Sequence, residues 1–123
     1  MTEKIQTLVS AYEYITRLNS GIETAINSYR IDDTTKGNEM TVDITEGLQW
    51  LIEAIDLTSE VQKEPINVAE INETIAEIII ALENEDTVLI ADLFEYELLD
   101  KLKEWHEKIG VSLEDVSFEN ADE

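Results

Sequence analysis

Residues 5–29, IQTLVSAYEYITRLNSGIETAINSY, decide the fold. Ile5, Leu8, Tyr12, Ile15, Ile22, Ile26 and Tyr29 recur in alternating steps of three and four, and Asn19 fills the one polar gap in the series. This is a single apolar seam on an α-helix of about 25 residues, widened by Val9, Leu18 and Ala25. Such a helix runs on the order of 38 Å and sets the long dimension of the molecule. Thr2 stands where an N-cap belongs. A seam so long and regular must be buried against other helices, which points to an all-α bundle.

Working outward, residues 31–38, IDDTTKGN, read as a loop, because Asp, Thr, Gly and Asn cluster there and the stripe stops. A second helix is expected to start between Asn38 and Asp43. It carries Ile44, Leu48, Leu51 and Ile55 on one stripe and Trp50, Ala54, Leu57 and Val61 on a neighbouring one, so it should contact more than one partner. Pro65 is expected to end it, since proline cannot continue the hydrogen-bond ladder. Asn67 with Glu70 reads as a capping-box start for a third helix bearing Val68, Ile71, Ile75, Ile78 and Leu82, with Ile79 and Ile80 turning its apolar surface most of the way round.

Residues 84–87, NEDT, interrupt the pattern, and Asp86 or Thr87 can cap a fourth helix. No Gly or Pro enforces that break, so one helix from Val68 to Ile109 is the alternative. The fourth helix carries Leu89, Ile90, Leu93, Phe94, Leu98, Leu102, Trp105 and Ile109, with Gly110 as its C′ residue and Lys101, Lys103, His106 and Lys108 complementing the dipole of its last turns. Val111, Leu113, Val116 and Phe118 are too apolar for a solvated tail and should dock on the bundle. The expected architecture is an antiparallel up-and-down four-helix bundle with a short C-terminal appendage, one domain over residues 1–118, and a disordered acidic tail at 119–123.

The net charge is −21, yet 43% of residues are hydrophobic, too many for a chain kept unfolded by its charge. Between Gly37 and Asp100 the only base is Lys63. A surface of this sign repels nucleic acid and anionic membranes, so neither is expected as a partner. The opening MTEKIQTLVSAYEYI lacks a basic segment leading into an apolar run, and no stretch approaches the ~20 apolar residues that cross a bilayer. The absence of cysteine removes disulfides and thiolate chemistry. Together these lead to the expectation of a cytoplasmic protein.

No sequence motif calls for a cofactor. Di-metal bundles need Glu-x-x-His pairs, and Lys103 stands three residues before His106, the one histidine. If a carboxylate metal site exists, Asp92 and Glu95 are its candidates, because Asp92 lies inside the apolar run VLIADLF with Glu95 one turn on and Tyr96 beyond it. Residues 32–43 have the length of a calcium loop with Gly37 sixth, but Thr34 and Lys36 occupy ligand positions and Asp43 replaces the bidentate Glu. An ammonium there repels a dication. The four scattered glycines build no phosphate loop, and His106 beside Trp105 reads as an exposed histidine at a helix end.

What remains suggests interaction. Asn19 in the seam can fix register and pairing, or merely bend the helix with Ser20 and Gly21. Ile79 and Ile80 give the third helix more apolar surface than one bundle face requires, so it is either central or presents an interface to a protein partner or a second copy. The leading expectation is a non-enzymatic protein-interaction module, an adaptor or small chaperone-like protein for a basic or amphipathic partner. The alternatives are a carboxylate-based metal-binding protein or metal-dependent enzyme, and an acidic mimic of nucleic acid that blocks a basic protein.

Overall fold

The computed structural model describes residues 2–114 and Val116; the expected tail at 119–123, with Ser117 and Phe118, lies outside the described residues. Among the described residues the chain forms four helices. The first two, α1 (Glu3–Arg30) and α2 (Thr34–Leu57), are long, and α3 (Asn72–Glu83) is short. The last, α4, is continuous through three pieces: α-helical Thr87–Leu93, π-helical Phe94–Leu98 and α-helical Leu99–Leu113. The all-α, antiparallel four-helix bundle read from the seam is what the chain forms.

The α1 seam is buried as its spacing requires, with Leu8, Ile15, Ile22 and Ile26 in the core, and the Thr2 hydroxyl accepts from the Ile5 amide as the N-cap. The first turn is tighter than the composition of residues 31–38 suggested. Asp32 takes a left-handed conformation (φ 63°), the Asp33 carboxylate accepts from the Lys36 amide, and α2 is under way at Thr34. Gly37 therefore lies inside the helix, not in a loop. A Cβ there would come within 2.6–2.8 Å of the Tyr29 ring, so glycine lets the start of α2 close onto the end of α1. The Tyr29 hydroxyl donates to Asn38 Oδ1 at 2.8 Å and lies 2.8 Å from Thr41 Oγ1. Lower down, a Cβ at Gly47 would overlap the Tyr14 hydroxyl, a second close approach of the same pair.

Pro65 does not end α2; the helix stops eight residues earlier. Buried Thr58 donates its hydroxyl back to the Ala54 and Ile55 carbonyls, the Gln62 side-chain amide donates to the Ile55 carbonyl at 2.7 Å, and Gln62 Oε1 accepts from the Ile66 amide. Side chains thus satisfy the exposed end of the helix before proline is reached. The connection contains two 3₁₀ turns, Ser59–Val61 and Val68–Ile71, and buries Ile71 completely. The capping box is only half formed. Asn67 accepts from the Ala69 amide, but the Glu70 carboxylate pairs with Lys101 at 3.0 Å.

The alternative of one helix from 68 to 109 fails at Glu85. That residue has φ 54°, the Asp86 amide donates to the Ala81 carbonyl, and the Asp86 carboxylate caps α4 by accepting from the Leu89 amide. A left-handed residue and an N-cap break the chain without glycine. At the other end Gly110 is not a cap, because α4 continues to Leu113, and Gly110 instead faces the Tyr12 ring. Ser112 and Leu113 are buried within that helix, Ser112 Oγ accepts from the Lys63 amide at 2.9 Å, and Val116 packs on the core.

α1 is the centre of the arrangement, packed along both α2 and α4. Tyr12 meets His106 near one end and Arg30 meets Asp92 near the other, so α1 and α4 are antiparallel. With 12 residues against 28 and 24, α3 covers only part of the bundle's length, and it leans chiefly on the start of α4. Of its apolar residues Ile78 and Ala81 are buried, Ile75 and Leu82 are half-buried, and Ile79 and Ile80 face solvent.

Candidate functional site

The best-formed depression is an apolar groove of about 230 Å³ between α2 and α3. Its floor is Ile44, Leu48, Ile78 and Phe94, all buried, and its walls are the half-buried Ile52, Ile75 and Leu82. Phe94 is the first residue of the π-helical turn, where the widened backbone brings a residue of α4 under the groove. The polar lining is limited to Thr45 and Gln49. Ile79 stands on the lip, 48% exposed.

The groove continues along α2 into a shallower depression formed by Asn38, Thr41, Val42, Thr45, Glu46 and Leu82, with Thr45 and Leu82 shared. Val42 is 59% exposed there. Glu39, Glu46 and Glu53 are exposed and spaced by seven, so they share one side of α2, and Glu46 of that row borders this surface. Between Gly37 and Asp100 the sequence supplies one base, Lys63 in the connection, and the cations nearest this row are Lys36 in the first turn of α2 and Arg17 of α1, which lines a depression with Asp43 and Glu46 on the side away from the groove. On the other side of α3, Glu97 of α4 has its pKa raised, first by loss of hydration and then by Glu77 and Glu73. Carboxylates crowd both flanks of α3.

Of the three residues expected at an interface, Ile79 lines the groove and Ile80 is exposed beside it, 55% accessible. Asn19 is elsewhere. It sits half-buried in a separate depression with Thr16, Ser20, Glu23, Lys103 and His106, and its Oδ1 is buried with no hydrogen-bond partner. α1 runs unbroken through Asn19, Ser20 and Gly21. His106 is not an exposed helix-end residue, because α4 extends a further two turns. Its ring stacks on Tyr12 at 4.0 Å and 10°, and burial lowers its pKa.

Asp92 and Glu95, the candidate metal ligands, share Arg30: Asp92 Oδ1 is 2.8 Å and Glu95 Oε2 3.7 Å from its Nη2. A guanidinium from the end of α1 stands where a cation would. The Arg30 side of this contact was not legible from the neighbourhood of Asp92, because it comes from 62 residues away. Among the described residues no three His, Cys, Asp or Glu side chains are gathered for a metal ion. Lys101 and Lys108 hold Glu104 in the same manner, and Lys101 also holds Glu70, so these lysines serve ion pairs along α4 and not its C-terminal dipole. The sequence pattern also gave no sign of the contact of Trp50 with Tyr14, edge to face at 5.3 Å, with Arg17 over the Tyr14 ring.

No helix among the described residues is long and apolar enough to cross a membrane. A family model described as Domain of unknown function (DUF8042) matches residues 6–108, a span that holds α2 and α3 whole and most of α1 and α4. No curated protein matches the chain, and no solved structure does.

Proposed function

The chain belongs to the DUF8042 family, and we propose that it is a non-enzymatic protein-interaction module, an adaptor or small chaperone-like protein, that engages a basic, amphipathic protein partner on its α2–α3 face. The observation that carries this reading is the groove itself: an apolar channel with Ile79 and Val42 open to solvent, bordered by Glu46 in a segment almost free of bases. Apolar surface of this kind on an otherwise charged protein supplies affinity when covered, and the carboxylates beside it select a cationic partner and speed its approach.

The test is affinity capture with the wild-type protein and with Ile79→Glu, followed by titration of the purified partner. One stoichiometric basic partner, bound more weakly as salt rises and lost with Ile79→Glu, is the expected result. A protein that stays monomeric and retains nothing dependent on Ile79 overturns the reading.

A further inference from the structure

We infer that the occupant of the α2–α3 groove is a single amphipathic helix of about three to four turns, bearing lysines or arginines on the side that faces α2; this rests on the reading above and specifies its partner. The lining favours a helix. An extended peptide laid on Ile44, Leu48, Ile52, Ile75, Ile78 and Phe94 would leave its backbone N–H and C=O groups against hydrocarbon, with only Thr45 and Gln49 to meet them. A helix satisfies its backbone internally and offers the groove nothing but side chains. Two neighbouring helices with a channel between them are also the surface into which a third helix packs its ridge.

The dimensions set its length. From Asn38 to Ile52 the lined surface follows α2 for on the order of 20 Å at about 1.5 Å per residue. Because the floor is already closed by buried side chains, the occupant inserts only a narrow stripe, of the i, i+3, i+4, i+7 kind. Its charge follows from Glu46, which borders the groove, and from Glu39 and Glu53 two turns to either side of it on the same side of α2, a row that basic residues repeating likewise would meet. A second copy of the chain brings −21 onto −21 and is repelled. The chain's own last residues are excluded on the same ground, since 117–123 carry Glu119, Asp122, Glu123 and no base.

The test uses fluorescence anisotropy with a labelled Leu/Lys peptide of about 18 residues, leucines at i, i+3, i+4 and i+7, against a scrambled peptide of identical composition and a Leu/Glu version. The amphipathic Leu/Lys peptide is expected to bind saturably and the other two at least about tenfold more weakly. Ile79→Glu and Val42→Glu, on opposite walls and both exposed enough to leave the fold intact by circular dichroism, should each reduce affinity about tenfold. Glu46→Lys with Glu53→Lys should lower affinity and flatten its salt dependence, while Ile31→Glu, at the exposed α1–α2 turn, should change neither. Equal binding of the scrambled peptide, or indifference to both groove variants, overturns the helix. If the captured partner still depends on Ile79 while the amphipathic peptide does not bind, the helical occupant is wrong and the interaction module stands; if neither depends on Ile79, both fall.

Discussion

Asn19 occupies a seam position that an aliphatic residue would fill, and its Oδ1 is the buried side-chain polar atom left without a partner among the described residues. An unsatisfied buried acceptor costs about 1–3 kcal/mol. Asn19→Leu should therefore stabilise the fold by about 1 kcal/mol in urea unfolding; a loss of stability would show that the amide is engaged in solution. His106 acts in a different way. Its ring stacks on Tyr12, and partial burial lowers its pKa against the opposing pull of Glu107, so the folded state resists protonation that the unfolded chain accepts. The stability it contributes is complete above the unfolded value near 6.5 and is lost as pH falls through the lower folded value. His106→Phe keeps an aromatic partner for Tyr12 and removes the titration, so it should lose less stability than the wild type between pH 7 and pH 5 in parallel denaturant series. At this scale the sequence was an uneven guide. The apolar positions of α1 were legible because period and burial coincide, whereas the partners of Asp92 and His106 come from α1, far away in the chain.

Elements were legible in number and type, and misread at their ends. The start of α2, the end of α2 and the end of α4 were each placed by a composition signal, namely the polar loop 31–38, Pro65 and Gly110, and each lies elsewhere because a tertiary contact or side-chain cap took precedence. Gly37 serves the approach of Tyr29, Thr58 and Gln62 end α2 before the proline, and Gly110 admits Tyr12. Glu85 gives the clearest prediction at this scale. Held at φ 54° between α3 and α4, it carries a conformational cost of about 1 kcal/mol that glycine avoids. Glu85→Gly should stabilise by about that amount, and Glu85→Ala, which removes the charge but keeps the Cβ, should not. Thermal unfolding of the pair separates backbone from charge; equal gains in both would assign the effect to electrostatics alone.

For the whole molecule, the question is where a charge of −21 goes. Lys4, Arg30, Lys101 and Lys108 are held in exposed or half-exposed ion pairs that contribute little each, and the 29 carboxylates far outnumber the eight Lys and Arg residues. Glu97 shows the consequence: its raised pKa means that the folded state binds its proton more tightly, so this group favours folding increasingly as pH drops through its titration. Glu60 and Glu104, lowered by Lys4 and Lys101, pull the other way, adding stability above the unfolded value and losing it as pH falls through the folded one. With so few bases, repulsion prevails, and added salt should raise the melting temperature; a decrease would mean that the ion pairs outweigh the repulsion. The groove was only half legible at this scale. The excess apolar surface of α3 was visible in IIIAL, but the matching wall on α2 and the floor at Phe94 depend on how the helices pack. The brevity of α3 carries a further consequence for the order in which the molecule comes apart. A 12-residue helix resting chiefly on the start of α4 is the smallest cooperative unit of the bundle, so its amide hydrogens should exchange with deuterium through a partial opening, well before those of α1. If α3 and α1 amides exchange at one common rate, the bundle opens only as a unit; if α3 leads, the groove owns a wall that swings, and its width is an equilibrium and not a fixed dimension.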